Sequence, residues 1–189
     1  MTENQRDEKT LKDRAKEIHK ATGLGHQKVL ELLRAGDTWR DRLATPNPSK
    51  RDVELAARIA VARAFNGRVD GRRVVDATVD ERSGLALAIA ARHERDRGYE
   101  AMLDGLRGGF DPSWDFIVLV RFAPNGSMVV AQMLDDTQVA AYRAARLPRH
   151  DRLAFNETSF HRPDGTQYGT DIRGDARRFL NWPAALPLP

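Results

Sequence analysis

The chain has 189 residues, 41% of them hydrophobic, enough for one main domain with a real core and a small helical appendage. It contains no cysteine, which excludes disulfides, iron–sulfur clusters and thiolate zinc sites. The net charge of +4 points to an anionic partner but is unevenly spread: residues 1–50 hold 6 Lys and 5 Arg against 8 acids, while residues 51–189 hold 20 Arg against 19 acids and no Lys.

Any metal would therefore rest on carboxylates, imidazoles or carbonyls, a donor set better suited to Mg²⁺ or Mn²⁺ than to structural zinc. The Arg excess follows from GC-rich coding as readily as from phosphate recognition, for which the planar guanidinium is the better donor. No apolar run approaches the roughly 18 residues of a membrane span. The polar start MTENQRDEKTLKDR lacks the apolar stretch of a signal peptide, so a cytoplasmic protein without membrane contact is expected.

In chain order, residues 8–21 place Leu11, Ala15, Ile18 and Ala21 near a 3.6-residue period, one face of an amphipathic helix that breaks at Thr22-Gly23-Leu24-Gly25. A second helix, HQKVLELLRA, directs Val29, Leu30, Leu32 and Leu33 inward and stops at Gly36. Residues 1–36 thus form a helical hairpin. It resembles the small ubiquitin-associated-like fold at the start of translation elongation factor Ts, a likeness of about 25 residues that implies a protein or DNA contact through residues 8–36. Residues 37–49 carry two prolines and mixed charge without an apolar period and read as a linker docked by Trp39.

The main domain is expected over residues 50–182. Ser49 ahead of Asp52 makes a capping-box-like start, and Val53, Ala56, Ala57, Ala60, Val61 and Ala64 share one face of a helix ending at Asn66-Gly67. RRVVDATVDE and DFIVLVRF read as strands, and Pro124-Asn125-Gly126-Ser127 turns the second into MVVAQMLD. A helix from Asp136-Thr137 to Pro148, an extended RLAFNETSF and a last short helix in DIRGDARRFLN follow, with residues 183–189 as a loose, Pro-rich tail. Residues 85–92, LALAIAAR, are ambiguous. Alanine and leucine favour a helix running on through HERDRGYEAML, whereas alternation of Leu85, Leu87 and Ile89 with small residues after a turn at Glu81-Arg82-Ser83-Gly84 favours a strand.

Taken in order, Val53-Glu54-Leu55 on a helix, Val75-Asp76-Ala77 on a strand, the turn at Gly84, a further strand and Asp115-Phe116-Ile117-Val118 resemble an uncharacterised group of restriction-endonuclease-like domains of the PD-(D/E)XK superfamily. The likeness covers about residues 50–182, and the order of the motifs carries it. It implies an α/β (α+β) fold, a small central mixed sheet flanked by helices and preceded here by the hairpin. It also implies a Mg²⁺-dependent DNA endonuclease ancestry, with Glu54 and Asp76 as catalytic positions and Asp76 as the metal ligand. In that chemistry an acceptor-x-Lys pair on one strand face helps hold the metal and activates water. Aligned through Gly84, the pair falls on Ala88 and Ala90, neither of which can bind metal or move a proton. Natural decay and deliberate double substitution both fit such a paired loss. Without the resemblance, Asp76 reads as a solvated strand-end carboxylate and Glu54 as a solvated helix-face glutamate.

Arg72 and Arg73 on one strand and Arg92, Arg95 and Arg97 after the next would form a basic strip beside these positions, able to contact nucleic-acid phosphates. Glu94, Asp96 and Glu100 interleave and offer to pair with them instead. The five histidines show no metal spacing and read as isolated surface residues, and Arg107-Gly108-Gly109 reads as a turn, lacking the Gly-Lys-Ser/Thr of a phosphate loop. The expected function is a nucleic-acid-associated, nuclease-like protein, DNA-cutting in a lysine-bearing form and disabled as written. The alternative is a non-catalytic protein-interaction module on a decayed nuclease scaffold.

Overall fold

A computed structural model describes residues 3–71, 73–94, 100–101, 113–146, 153–154 and 160–189 of the chain. Its first helix, α1 (Glu3–Thr22), buries Ala15 and Ile18 completely and ends where Gly23 takes φ 70° and the His19 ring meets the Leu24 carbonyl at 2.5 Å. α2 (His26–Ala35) buries Val29, Leu30 and Leu33 and stops at Gly36, whose left-handed φ of 72° lets its N–H reach the Leu33 carbonyl, the capping geometry that only glycine adopts without strain.

The hairpin packs into the same core as the residues that follow it. Within the expected linker, Thr38 forms a full capping box with Asp41 and starts α3 (Trp39–Leu43), whose Trp39 and Leu43 are both buried. Ala15, Ile18, Val29 and Leu33 then belong to one continuous apolar cluster with Trp39, Leu43 and the core of the main domain. Trp39 and Leu43, the two large apolar side chains of the segment expected as a linker, are buried in this shared core.

α4 (Lys50–Ala64) starts at Ser49, whose Oγ accepts from the Asp52 N–H at 3.0 Å, and buries Val53, Ala56, Ala57, Ala60 and Val61 as expected, with Ile59 and Ala62 in addition. So many alanines let this helix lie close against the sheet. Six strands form that sheet in the order β1 (Arg68–Asp70), β2 (Arg73–Val79), β3 (Arg82–His93), β5 (Phe116–Phe122), β6 (Met128–Leu134) and β8 (Thr170–Asp171). A separate two-residue pair joins β4 (Glu100–Ala101) to β7 (Leu153–Ala154). β3 runs parallel to β5 and all other pairs are antiparallel, so the sheet is mixed.

The ambiguous segment 85–92 is therefore strand. It lies at the centre of the sheet with both edges hydrogen-bonded, and that pairing with burial on both faces outweighs the helix propensity of its alanines. The turn before it is tighter than expected. Asp80 and Glu81 are the two loop residues, both at positive φ (47° and 67°), and Arg82, Ser83 and Gly84 already belong to the strand.

The second face is covered by α5 (Asp136–Arg146) through Val139 and Tyr142, and by Phe160 and Tyr168, which pack on Ile117, Leu119, Val130 and Leu134. The β5–β6 turn has Asn125 Oδ1 accepting from the Ser127 N–H, and Gly126 at φ 73° lies so near the α3 backbone that a Cβ there would overlap the Arg40 carbonyl. After β8 come α6 (Arg173–Ala176) and a 3₁₀ turn over Arg177–Asn181. The tail expected to be loose is held. Leu186 is buried, the Ala184 N–H donates to the Asp37 carbonyl at 2.8 Å, and the Val69 N–H donates to the Pro189 carbonyl at 3.0 Å. Proline cannot donate a hydrogen bond, but these segments still accept them, and Trp182 and Leu186 anchor the path.

Candidate functional site

Alternation along β3 sorts its residues by face. Leu85, Leu87, Ile89 and Ala91 meet the cluster under α4, while Ala88 and Ala90 meet the second cluster on the α5 side. Ala88 and Ala90, the positions at which an acceptor-x-Lys pair was expected, therefore share a face, with Ile89 on the other.

The strand register sets their neighbours in rows across the sheet. Arg73 lies opposite Ala88, which in turn pairs with Ile117; Ala90 pairs with Leu119, beside Gln132; Arg92 pairs with Arg121. Asp76 belongs one row earlier. Val75 and Asp76 together oppose Ala86 in a bulge, with Asp76 at φ 56°, and Asp115 approaches Ala86 from the other side, its Oδ2 accepting the Ala86 N–H at 2.8 Å. Asp76 is thus a diagonal neighbour of Ala88, not directly across from it.

Glu54 is elsewhere. It sits on α4, the helix covering the opposite face from Ala88 and Ala90, and its carboxylate meets Arg58 at 3.4 Å and Lys50 at 3.9 Å. Asp76 is largely exposed and paired with Arg68 at 3.2 Å, so the two carboxylates share no partner. Among the described residues no group of three or more His, Asp or Glu side chains is placed to hold a metal ion.

Of the five arginines expected in the basic strip, Arg72, Arg95 and Arg97 lie outside the described residues. Arg73 and Arg92 flank the alanine pair, Arg73 reaching Ser113 Oγ at 3.5 Å and Arg92 donating to the Ala91 carbonyl at 3.0 Å. The sequence reading missed Arg121. It enters the same face from β5 and is paired at 2.5 Å with Glu94, with only 12% and 29% of the two side chains exposed. Only the parallel β3–β5 register reveals this contact, because 27 residues separate the partners. His93, expected at the surface, is 2% exposed, since its odd-numbered position on β3 points inward.

A smaller hollow of about 180 Å³ opens at the β6–β8 edge, among Gln132, Phe160, His161, Asp171 and Arg173. There burial raises the Asp171 carboxyl, but the hydrogen bonds and charge of Arg173 outweigh it and hold the group below its ordinary range. Arg173 Nη2 meets Asp171 Oδ2 at 2.7 Å, so this carboxylate already has its cation.

No protein-family model matches the chain, and no curated protein matches it in sequence. Among the described residues, no helix is long and apolar enough to cross a membrane.

Proposed function

We propose that this protein is a nucleic-acid-associated protein on a nuclease-like α+β scaffold, one that contacts DNA phosphates without cutting. The observation that carries the reading is the juxtaposition on one sheet face of Ala88 and Ala90 with Arg73 beside the first and Arg92 beyond the second. The order of α4, β2, a tight hairpin, β3 and the parallel β5 agrees with the motif order of restriction-endonuclease-like domains. Glu94 already engages Arg121, so phosphate contact falls to Arg73 and Arg92.

Mg²⁺ chemistry does not fit this donor set. Asp76 is the acidic candidate left from the motif, Asp115 Oδ2 is engaged by a backbone N–H, and the methyl groups of Ala88 and Ala90 offer neither a ligand nor a base. An acceptor at position 88 together with a lysine at position 90 would restore both. The alternative, a protein-interaction module, draws less support: the apolar faces of the hairpin point into the shared core, and Leu188 is the exposed large hydrophobic residue among those described.

Retention on duplex or single-stranded DNA tests the reading. Binding should weaken sharply between about 50 and 200 mM salt, and Arg73→Ala with Arg92→Ala should flatten the salt slope by about 2. Absence of retention, or retention indifferent to salt, refutes it. For the ancestry, Ala88→Glu (or Gln) with Ala90→Lys in a folded protein should yield Mg²⁺-dependent cleavage; a folded but inert double variant rejects the disabled-nuclease account.

A further inference from the structure

On the α4 side of the sheet, between α1, the end of α4 and the carboxyl-terminal turn, lies a cleft of about 710 Å³. Its charged lining is Glu17 and Lys20 of α1, Arg63 of α4 and Arg178. Among the described residues none of these four side chains has an ion-pair partner, so three cationic side chains face one acidic side chain, with Pro189, whose carbonyl accepts from the Val69 N–H, also in the lining.

Arg63 is the most telling of them. Its guanidinium is half-buried 4.9 Å from the centre of the Trp182 ring, its Nη2 donates to the Pro187 carbonyl at 2.9 Å, and its buried Nε has no hydrogen-bond partner. Burial lowers its pKa from the ordinary arginine value, as expected of a cation drawn out of water with no carboxylate beside it. Arg178 lies over the Phe179 ring at 4.7 Å. A guanidinium desolvated without a counter-charge is unfavourable unless an anion meets it.

The cleft is also too large for an inorganic ion to fill, falling within the roughly 300–1,000 Å³ typical of small-molecule sites. Ala62, Phe179 and Trp182 supply an apolar wall. Three cationic side chains against one acidic side chain give the lining a positive side-chain balance, the sign an organic phosphate requires.

We propose that this cleft binds a phosphorylated small molecule of nucleotide size, its phosphate held by Lys20, Arg63 and Arg178 and its organic part against Phe179 and Trp182. The proposal is independent of DNA contact on the other sheet face. Calorimetric titration of the full chain with AMP, ATP, glucose 6-phosphate and inorganic phosphate tests it.

At least one organic phosphate should bind saturably and more tightly than inorganic phosphate. Lys20→Ala with Arg178→Ala should weaken that binding by about tenfold or more, through lost charge-assisted hydrogen bonds. Arg73→Ala with Arg92→Ala should leave it unchanged. Because Arg63→Ala also removes packing on Trp182, the exposed Lys20 and Arg178 carry the test. The proposal falls if none of the organic phosphates binds saturably, if inorganic phosphate binds as tightly, or if the Lys20 and Arg178 variants bind like the parent. It falls equally if those variants lose DNA retention while no organic phosphate binds, which would assign the cleft to the nucleic-acid surface.

Discussion

Ala88 has 7% of its surface exposed and packs among Ile117 and Leu119, whereas Ala90 is only partly buried on the same face. A carboxylate at position 88 enters a filled apolar cluster; a lysine at 90 can run its methylenes along the sheet and keep its ammonium in water. Ala88→Glu should therefore cost about 1–3 kcal/mol and Ala90→Lys less than about 1 kcal/mol. Urea denaturation of the two single variants checks this, and equal stabilities would contradict the packing assigned to Ala88. A second residue-scale expectation concerns Asp37. The hydrogen bonds from Arg42, at 2.9 Å from Nε and 2.5 Å from Nη2, hold its carboxyl below the ordinary range. A depressed folded pKa gives stability that is present above the unfolded value and is lost as pH falls through the folded one. With the two side chains 49% and 38% exposed, solvent screening limits the contribution to below about 1 kcal/mol. Asp37→Asn should lower stability near neutral pH and flatten its fall below about pH 4; identical acid profiles for parent and variant would contradict the assignment.

At the scale of elements, the β2–β3 hairpin is built on Asp80 and Glu81, both left-handed, a conformation that favours Asn, Asp and Gly over Glu. Glu81→Gly, giving Asp-Gly at the turn, should stabilise the protein by about 0.5–1 kcal/mol, because relief of strain exceeds the entropy that glycine adds to the unfolded chain. A lower melting temperature would show that the Glu81 side chain contributes more than its backbone conformation costs. The same hairpin shows what periodicity could and could not reveal. The β-branched run of β2 and the paired apolar strands around Pro124–Ser127 were legible from composition and turn chemistry. β3 was not, because its alanines fit either state and its strand character comes from hydrogen bonds to β2 and to β5, which is distant in sequence.

For the whole molecule, Ile18 in α1, Leu43 in α3 and Trp182 near the end of the chain share one apolar cluster. Hairpin and main domain should unfold together, with far-ultraviolet circular dichroism and tryptophan fluorescence giving coincident transitions. Ile18→Ala should lower that single transition by about 2–5 kcal/mol, as for other fully buried aliphatic residues. Two resolved transitions, with only the first moved by Ile18→Ala, would restore the hairpin as a separate domain.

The sequence by itself determined the hairpin helices with their glycine stop, the capped start of α4, the strands on either side of Pro124–Ser127 and the absence of lysine beyond Lys50, because each rests on local periodicity, capping chemistry or composition. Ala88 and Ala90 were expected on one face only if residues 85–92 formed a strand, since a spacing of two shares a face in a strand but not in a helix. Only the tertiary structure decided that residues 82–93 form a strand, that Arg121 joins Glu94 beside that pair, and that Glu54 lies across the sheet from it. It alone brought Lys20, Arg63 and Arg178 around one cleft. Those outcomes depend on which distant segments pair and pack, and contacts between residues far apart in the chain leave no period in the sequence to read.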